Sequence, residues 1–180
     1  MTETMRTPPY TVASDEKVAS VMVYTANYLY WGEVVVKEMI RVSTWLRTNS
    51  APDRMCLYNA KAMATQLTTP PKPTQFTELY VAVSQVLGYH LTPPAKDPPD
   101  FDPTEPNRKM QPATLIVGSF RVDGLLRLSV KSSISKYLEV AREPFTAVYD
   151  AQITNLNMPG LGVINVPFLM ARQETAVFTA

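Results

Sequence analysis

Gly32-Glu33-Val34-Val35-Val36 leads into Arg41-Val42-Ser43-Thr44-Trp45-Leu46. The same pattern returns as Gly124-Leu125-Leu126-Arg127-Leu128 leading into Ser133-Ile134-Ser135-Lys136-Tyr137-Leu138. The offset is 92 residues (124 − 32) at the glycines and again at Ser43/Ser135, Leu46/Leu138 and Pro52/Pro144. After a one-residue slip, Tyr58-Asn59-Ala60 meets Tyr149-Asp150-Ala151. The chain is therefore read as an internal duplication whose copies share turns, caps and packing positions.

Proline marks the joint. Residues 93–112 hold Pro93, Pro94, Pro98, Pro99, Pro103, Pro106 and Pro112 among Asp97, Asp100, Asp102 and Glu105. A stretch poor in backbone donors and biased to extended conformations reads as a semi-rigid, solvated linker. The expected organisation is a flexible arm at 1–17, a β unit at 18–92, a proline-rich linker at 93–111 and a second β unit at 112–180.

Within each copy β-branched and aromatic runs dominate. The predicted strands are Val18–Tyr30, Glu33–Met39, Met55–Met63 and Glu78–His90. In the second copy they are Ala113–Val122, Leu125–Lys131, Phe145–Thr154 and Pro167–Thr179. Gly32 and Gly124 are expected to open the second strand of each copy through a bulge or tight turn. Ser43 and Ser135 are expected to cap a single helical turn. No amphipathic helix of ten residues or more is visible. The fold class is all-β: two tandem small β-barrel or half-barrel units related by pseudo-two-fold duplication. Units of about 70 residues bury little surface alone, so they are expected to pack on each other or pair strand edges.

The Gly32-to-Ala60 and Gly124-to-Ala151 stretches resemble a small uncharacterised bacterial β-domain family with the motif Arg-Leu-Ser-Asp-x-Leu-Asn and a strand ending near an Asp-Ala pair. Here the motif stands as Arg41-Val42-Ser43-Thr44-Trp45-Leu46-Arg47 and Ser133-Ile134-Ser135-Lys136-Tyr137-Leu138-Glu139. The pair stands as Asn59-Ala60 and Asp150-Ala151. Thr44 and Lys136 replace the motif's aspartate, and Arg47 and Glu139 its asparagine. More remotely, the strand pattern is similar to Sm-like small β-barrels. That likeness implies partner or RNA contact at Arg41, Trp45, Arg47, Lys136 and Tyr137, on the loops between strands. The competing reading makes Trp45 and Tyr137 core plugs, because they recur while the charges around them drift.

The chain offers little for catalysis. His90 is its one histidine and Cys56 its one cysteine, which leaves no Ser-His or Cys-His dyad in both copies and no sulfur–nitrogen metal set. Asp97, Asp100, Asp102 and Glu105 lack the central glycine of a calcium loop. Gly160 and Gly162 precede a strand, with no helix to cradle phosphate. Pro70 to Pro73 and Pro103 to Pro106 fit a Pro-x-x-Pro spacing, read as loop rigidity. The formal net charge is +1, which exerts no general pull toward nucleic acid or anionic lipid. No signal peptide or apolar run of membrane-spanning length is read, and the expected location is cytoplasmic. The sequence predicts no catalytic, cofactor or metal residues. It predicts a non-enzymatic structural or protein-interaction scaffold with a protein partner or self-association, the alternative being a weak RNA- or nucleotide-binding β-barrel using the Arg41/Trp45/Arg47 loop.

Overall fold

A computed structural model describes residues 8–48, 51–98 and 100–179; residues 1–7 of the arm expected at 1–17 lie outside it, as does Pro99 of the linker. The N-terminal half carries β1 (Glu16–Tyr24), β2 (Tyr28–Lys37), the helical turn α1 (Val42–Trp45), β3 (Arg54–Ala64), β4 (Thr74–Ala82) and β5 (Gly88–Leu91). The C-terminal half carries β6 (Arg108–Val117), β7 (Phe120–Ser129), α2 (Ile134–Val140), β8 (Phe145–Asn155), β9 (Val163–Arg172) and β10 (Val177–Thr179). In each half four strands form an antiparallel meander, and the fifth returns to pair with the first.

All ten strands belong to one antiparallel sheet in the order β10-β6-β7-β8-β9-β5-β1-β2-β3-β4. The expectation of two barrels is corrected by this order. Closing each half would need β4 on β5 and β9 on β10, whereas β9 pairs with β5, Gly88 against Ala171 and Tyr89 against Met170. The pseudo-two-fold is corrected too. The seam joins a fourth strand to a fifth, so the halves follow one another across the sheet in the same sense.

The predicted strands fuse neighbours that the structure separates. Val18–Tyr30 spans the β1–β2 hairpin, which turns through Thr25-Ala26-Asn27 with Thr25 N–H donating to Tyr28 O at 3.0 Å. That loop holds neither Gly nor Pro, the usual punctuation. Likewise Ala113–Val122 spans a two-residue turn at Gly118-Ser119, Glu78–His90 spans β4 and β5, and Pro167–Thr179 spans β9 and β10. The serines also shift role. α1 is preceded by Arg41 with no side-chain cap, and Ser133, not Ser135, accepts from Lys136 N–H.

Gly32 and Gly124 open no strand; each sits mid-strand opposite a bulge. Trp31 faces Lys61 and Glu33 faces Tyr58, so one residue of β2 opposes Asn59 and Ala60 of β3. Gly124 opposes Asp150 and Ala151 in the same way. Asn59 (φ 47°) and Asp150 (φ 48°) are the non-glycine residues with positive φ among those described. Asn and Asp are the side chains that tolerate this region best. A Cβ on Gly32 would lie 2.8 Å from Tyr58 O, and one on Gly124 2.7 Å from Tyr149 O. The slip in the repeat and the Asn/Asp-Ala pair are thus one device, a bulge that reverses which β3 and β8 residues face inward.

Two hydrophobic clusters result, and they interlock at the seam. One holds Leu115, Phe120, Val122, Leu126, Leu128 and Ile153 of the C-terminal half, and takes in Tyr24, Leu29 and Met63 from the other half. The second holds Val21, Val23, Val34, Met55, Leu57 and Tyr89, and takes in Phe145, Phe168 and Met170. At about 25 cal/mol per Å² of apolar surface, each side chain lent across the seam contributes roughly 1.5–3 kcal/mol.

Candidate functional site

The five residues singled out on the loops do not converge on one surface. Arg41 is exposed ahead of α1, and Lys136 is exposed on α2. Trp45 is half-buried against the N-terminal cluster beside the buried Val42 and Leu46. Arg47 and Tyr137 both line a cavity of about 610 Å³ between the halves, together with Phe101, Arg108, Arg127 and Tyr149.

Three of the arginines lining this cavity pair with carboxylates, and a fourth, Arg142, donates to Glu139 O at 3.1 Å and Ala141 O at 3.3 Å. Arg47 pairs with Glu143 and lies 3.5 Å from Asp100, which itself accepts from the Tyr149 hydroxyl at 2.7 Å. Arg127 pairs with Glu105 and stacks over Phe101, 4.7 Å from its centroid, and Arg108 also meets Glu105 at 3.3 Å. The Tyr137 hydroxyl bonds to Thr146 Oγ1 at 2.5 Å. Burial, then the Asp100 carboxylate, push the Tyr149 hydroxyl's pKa far up, so it stays a neutral donor. Nucleic-acid phosphate reaching Arg47, Arg108 or Arg127 would have to displace these carboxylates.

The acidic linker is docked rather than solvated. Asp97 accepts from Val42 N–H at 3.1 Å, Asp100 accepts from the Tyr149 hydroxyl, and Phe101 packs edge-on against Tyr149 at 4.9 Å. The segment before β1 does the same, laying Tyr10 on Tyr58 at 4.8 Å. Tyr10 also donates to Glu33 at 2.9 Å.

His90 is fully buried in β5. Its Nδ1 lies 2.7 Å from Leu91 O, which can only accept, so Nδ1 carries the proton and Nε2 accepts from the Tyr24 hydroxyl at 2.8 Å. Desolvation pulls its pKa down to about 4. The ring is a neutral structural bridge between β5 and β1, with no path to a substrate in this arrangement.

The surface that sequence reasoning missed is β4. This nine-residue strand ends the sheet and is exposed along most of its length, with Phe76 39% and Tyr80 59% accessible. Val83 N–H donates inward to Asp53 O at 2.9 Å. Alternation along an antiparallel strand then turns the amides of Ala82, Tyr80 and Glu78 outward. Among the described residues no strand covers that side. Natural edges are usually blunted by lysine, proline, brevity or bulges. Thr74-Gln75-Phe76-Thr77-Glu78-Leu79-Tyr80-Val81-Ala82 has no Lys or Pro, is not short, and carries one charge. Glu78 accepts from the Tyr80 hydroxyl at 2.9 Å, and that bond, with Cys56 beside it, raises the phenol's pKa to about 12. The alternation of Phe76, Glu78 and Tyr80 against Leu79 and Val81 was readable, but the prediction began the strand at Glu78 and ran it through to His90.

No family model, curated protein or solved structure matches this chain. Among the described residues, no helix is long and apolar enough to cross a membrane.

Proposed function

We propose that this protein is a non-enzymatic interaction scaffold that engages a protein partner by strand addition along the open edge of β4. The observation that carries this reading is a nine-residue edge strand with outward amides, exposed Phe76 and Tyr80, and a single charge, Glu78, as its protection. Main-chain hydrogen bonds would supply affinity, and the alternating Phe76 and Tyr80 side chains selectivity.

The scaffold is a tandem duplication. Support comes from the shared meander with a returning fifth strand, the bulges at Asn59 and Asp150, the glycines opposite them, and the aromatic straps Tyr10 on Tyr58 and Phe101 on Tyr149. The RNA-binding alternative loses ground because Arg47 is committed to Glu143 and Asp100.

A photo-crosslinking residue placed at Thr77 tests the edge in cells. The expected result is one or a few discrete protein adducts, abolished by Tyr80→Pro, which removes an outward N–H while leaving the bonds to β3. An adduct pattern unchanged by Tyr80→Pro, or none at all, refutes the reading.

A further inference from the structure

At the seam, the fourth strand of the C-terminal half (β9) pairs with the fifth strand of the N-terminal half (β5). The strands at the two ends of the sheet are the fourth strand of the N-terminal half (β4) and the fifth of the C-terminal half (β10). The open edges are therefore of the same two kinds as the pair already joined inside the molecule. We propose that β4 of one chain pairs antiparallel with β10 of a second copy, extending the sheet head to tail. This rests on the reading of β4 as an interaction edge and names its partner.

The register follows from the internal seam. Tyr58 and Tyr149 hold equivalent places at the bulges, so Tyr80, opposite Cys56, corresponds to Met170, opposite Ala147. Val21 faces Gly32 and Ala113 faces Gly124, so Tyr89, opposite Val23, corresponds to Phe178, opposite Leu115. The Tyr89–Met170 pair of the seam thus becomes Phe178 against Tyr80 between chains, an aromatic cross-strand pair of a favourable kind. Gly88 against Ala171 becomes Val177 against Val81.

The backbone is oriented for it. Gln173 N–H donates to Pro144 O as Val83 N–H donates to Asp53 O, and this leaves Arg172 N–H to reach Leu87 O across the seam at 2.8 Å. Ala82 holds the place of Arg172, with its N–H facing the open side. Although β10 is three residues long, the seam itself uses two register pairs.

Side-chain placement agrees. Met170 leaves the cluster of its own half and is fully buried in that of the neighbouring half. Tyr80 is directed away from its own half's cluster in the same manner and stands exposed for want of a neighbour. The new junction is the weaker of the two. Arg172 clamps the seam by donating to Val86 O at 2.6 Å and Val83 O at 2.5 Å, whereas Ala82 offers no such clamp. Leu29 and Met63 lend apolar surface across the seam, but their counterparts by register are Arg121 and Thr154. Association should therefore be reversible and concentration-dependent. Because unlike edges meet, it does not stop at an isologous dimer.

Sedimentation velocity on purified full-length chains tests this with two blocked variants, Tyr80→Pro at β4 and Val177→Asp at β10. Tyr80→Lys and Phe178→Asp serve as second choices should circular dichroism show disturbed folding. The unmodified chain is expected to gain mass with concentration, and each variant alone to stay at one chain mass. An equimolar mixture of the two retains one good β4 and one good β10, and is expected to form a dimer of about twice the chain mass that grows no further. A wild-type chain that stays single at every concentration overturns the proposal, as does a mixture that stays single. A β10 variant that dimerises alone overturns it in favour of β4 on β4. If the wild type stays single while the Thr77 crosslinks persist, β4 remains an interaction edge for another protein and only self-pairing falls.

Discussion

The two fourth strands occupy equivalent places and meet opposite fates. β9 runs Val166-Pro167-Phe168-Leu169-Met170-Ala171, buried at every one of these residues except Pro167; β8 flanks it along its length, β5 pairs with it at Met170 and Ala171, and its two faces enter the two clusters. β4 runs Phe76-Thr77-Glu78-Leu79-Tyr80-Val81 and buries only Val81. A strand that acquires a second neighbour can become apolar on both faces; one left at the edge keeps its inner face apolar and leaves its outer face to solvent or to a partner. The comparison identifies β4 as an end at which the sheet is unfinished.

The sharpest way to break the comparison is to place the same charge at both equivalent positions. Met170→Lys buries an unpaired ammonium in the neighbouring half's cluster and is expected to cost about 3–5 kcal/mol. Tyr80→Lys is expected to stay within about 0.5 kcal/mol, since its site is exposed. Urea titrations of both variants check this; equal losses would mean that β4 is as enclosed as β9.

A pH effect of nearly that size belongs to the His90 bridge between β5 and β1. His90 is held neutral in the fold with a pKa of about 4, while the unfolded chain protonates near 6.5. The unfolded state takes the proton first, so this contribution is complete above pH 6.5 and is lost as pH falls toward 4. The total is on the order of 3 kcal/mol. Stability measured at several pH values should show that slope, and His90→Asn should flatten it relative to the unmodified protein. An identical slope in the variant would assign the effect to carboxylates instead.

The bulges sharpen the likeness between the halves. Gly32→Ala and Gly124→Ala each drive a methyl against a backbone oxygen and are expected to cost about 1–3 kcal/mol apiece. Thermal melts of the two variants should show losses of similar size; a neutral result at either would mean that the opposing bulge relaxes freely.

How much of this was legible depended on what each residue encodes locally. The all-β class follows from the β-branched and aromatic runs, and the third strands, Met55–Met63 and Phe145–Thr154, from the prolines, Pro52 and Pro144, that introduce them. The repeat at Gly32/Gly124 and Tyr58/Tyr149 was visible as letters, but its meaning was not. A glycine facing Asn-Ala or Asp-Ala across a ladder is a relation between strands that periodicity within one strand does not carry. The hairpin at Thr25-Ala26-Asn27 was hidden for a simpler reason, the absence of Gly or Pro. The linker looked solvated because its acids resemble any acidic loop, yet Asp97 and Asp100 have partners far away in sequence at Val42, Arg47 and Tyr149. The joining of β9 to β5 is a long-range pairing, so separate barrels were the natural expectation from strand content alone. Of the five loop residues, only Arg47 and Tyr137 reach a common cavity.

Amide exchange resolved residue by residue along β4 tests the unfinished edge most directly. In dilute solution Leu79 and Val81 should be protected by β3 while Tyr80 and Ala82 exchange freely. As concentration rises, Tyr80 and Ala82 should become protected and Leu79 and Val81 should change little. Protection of Tyr80 and Ala82 already at high dilution, or its absence at every concentration, would contradict the account.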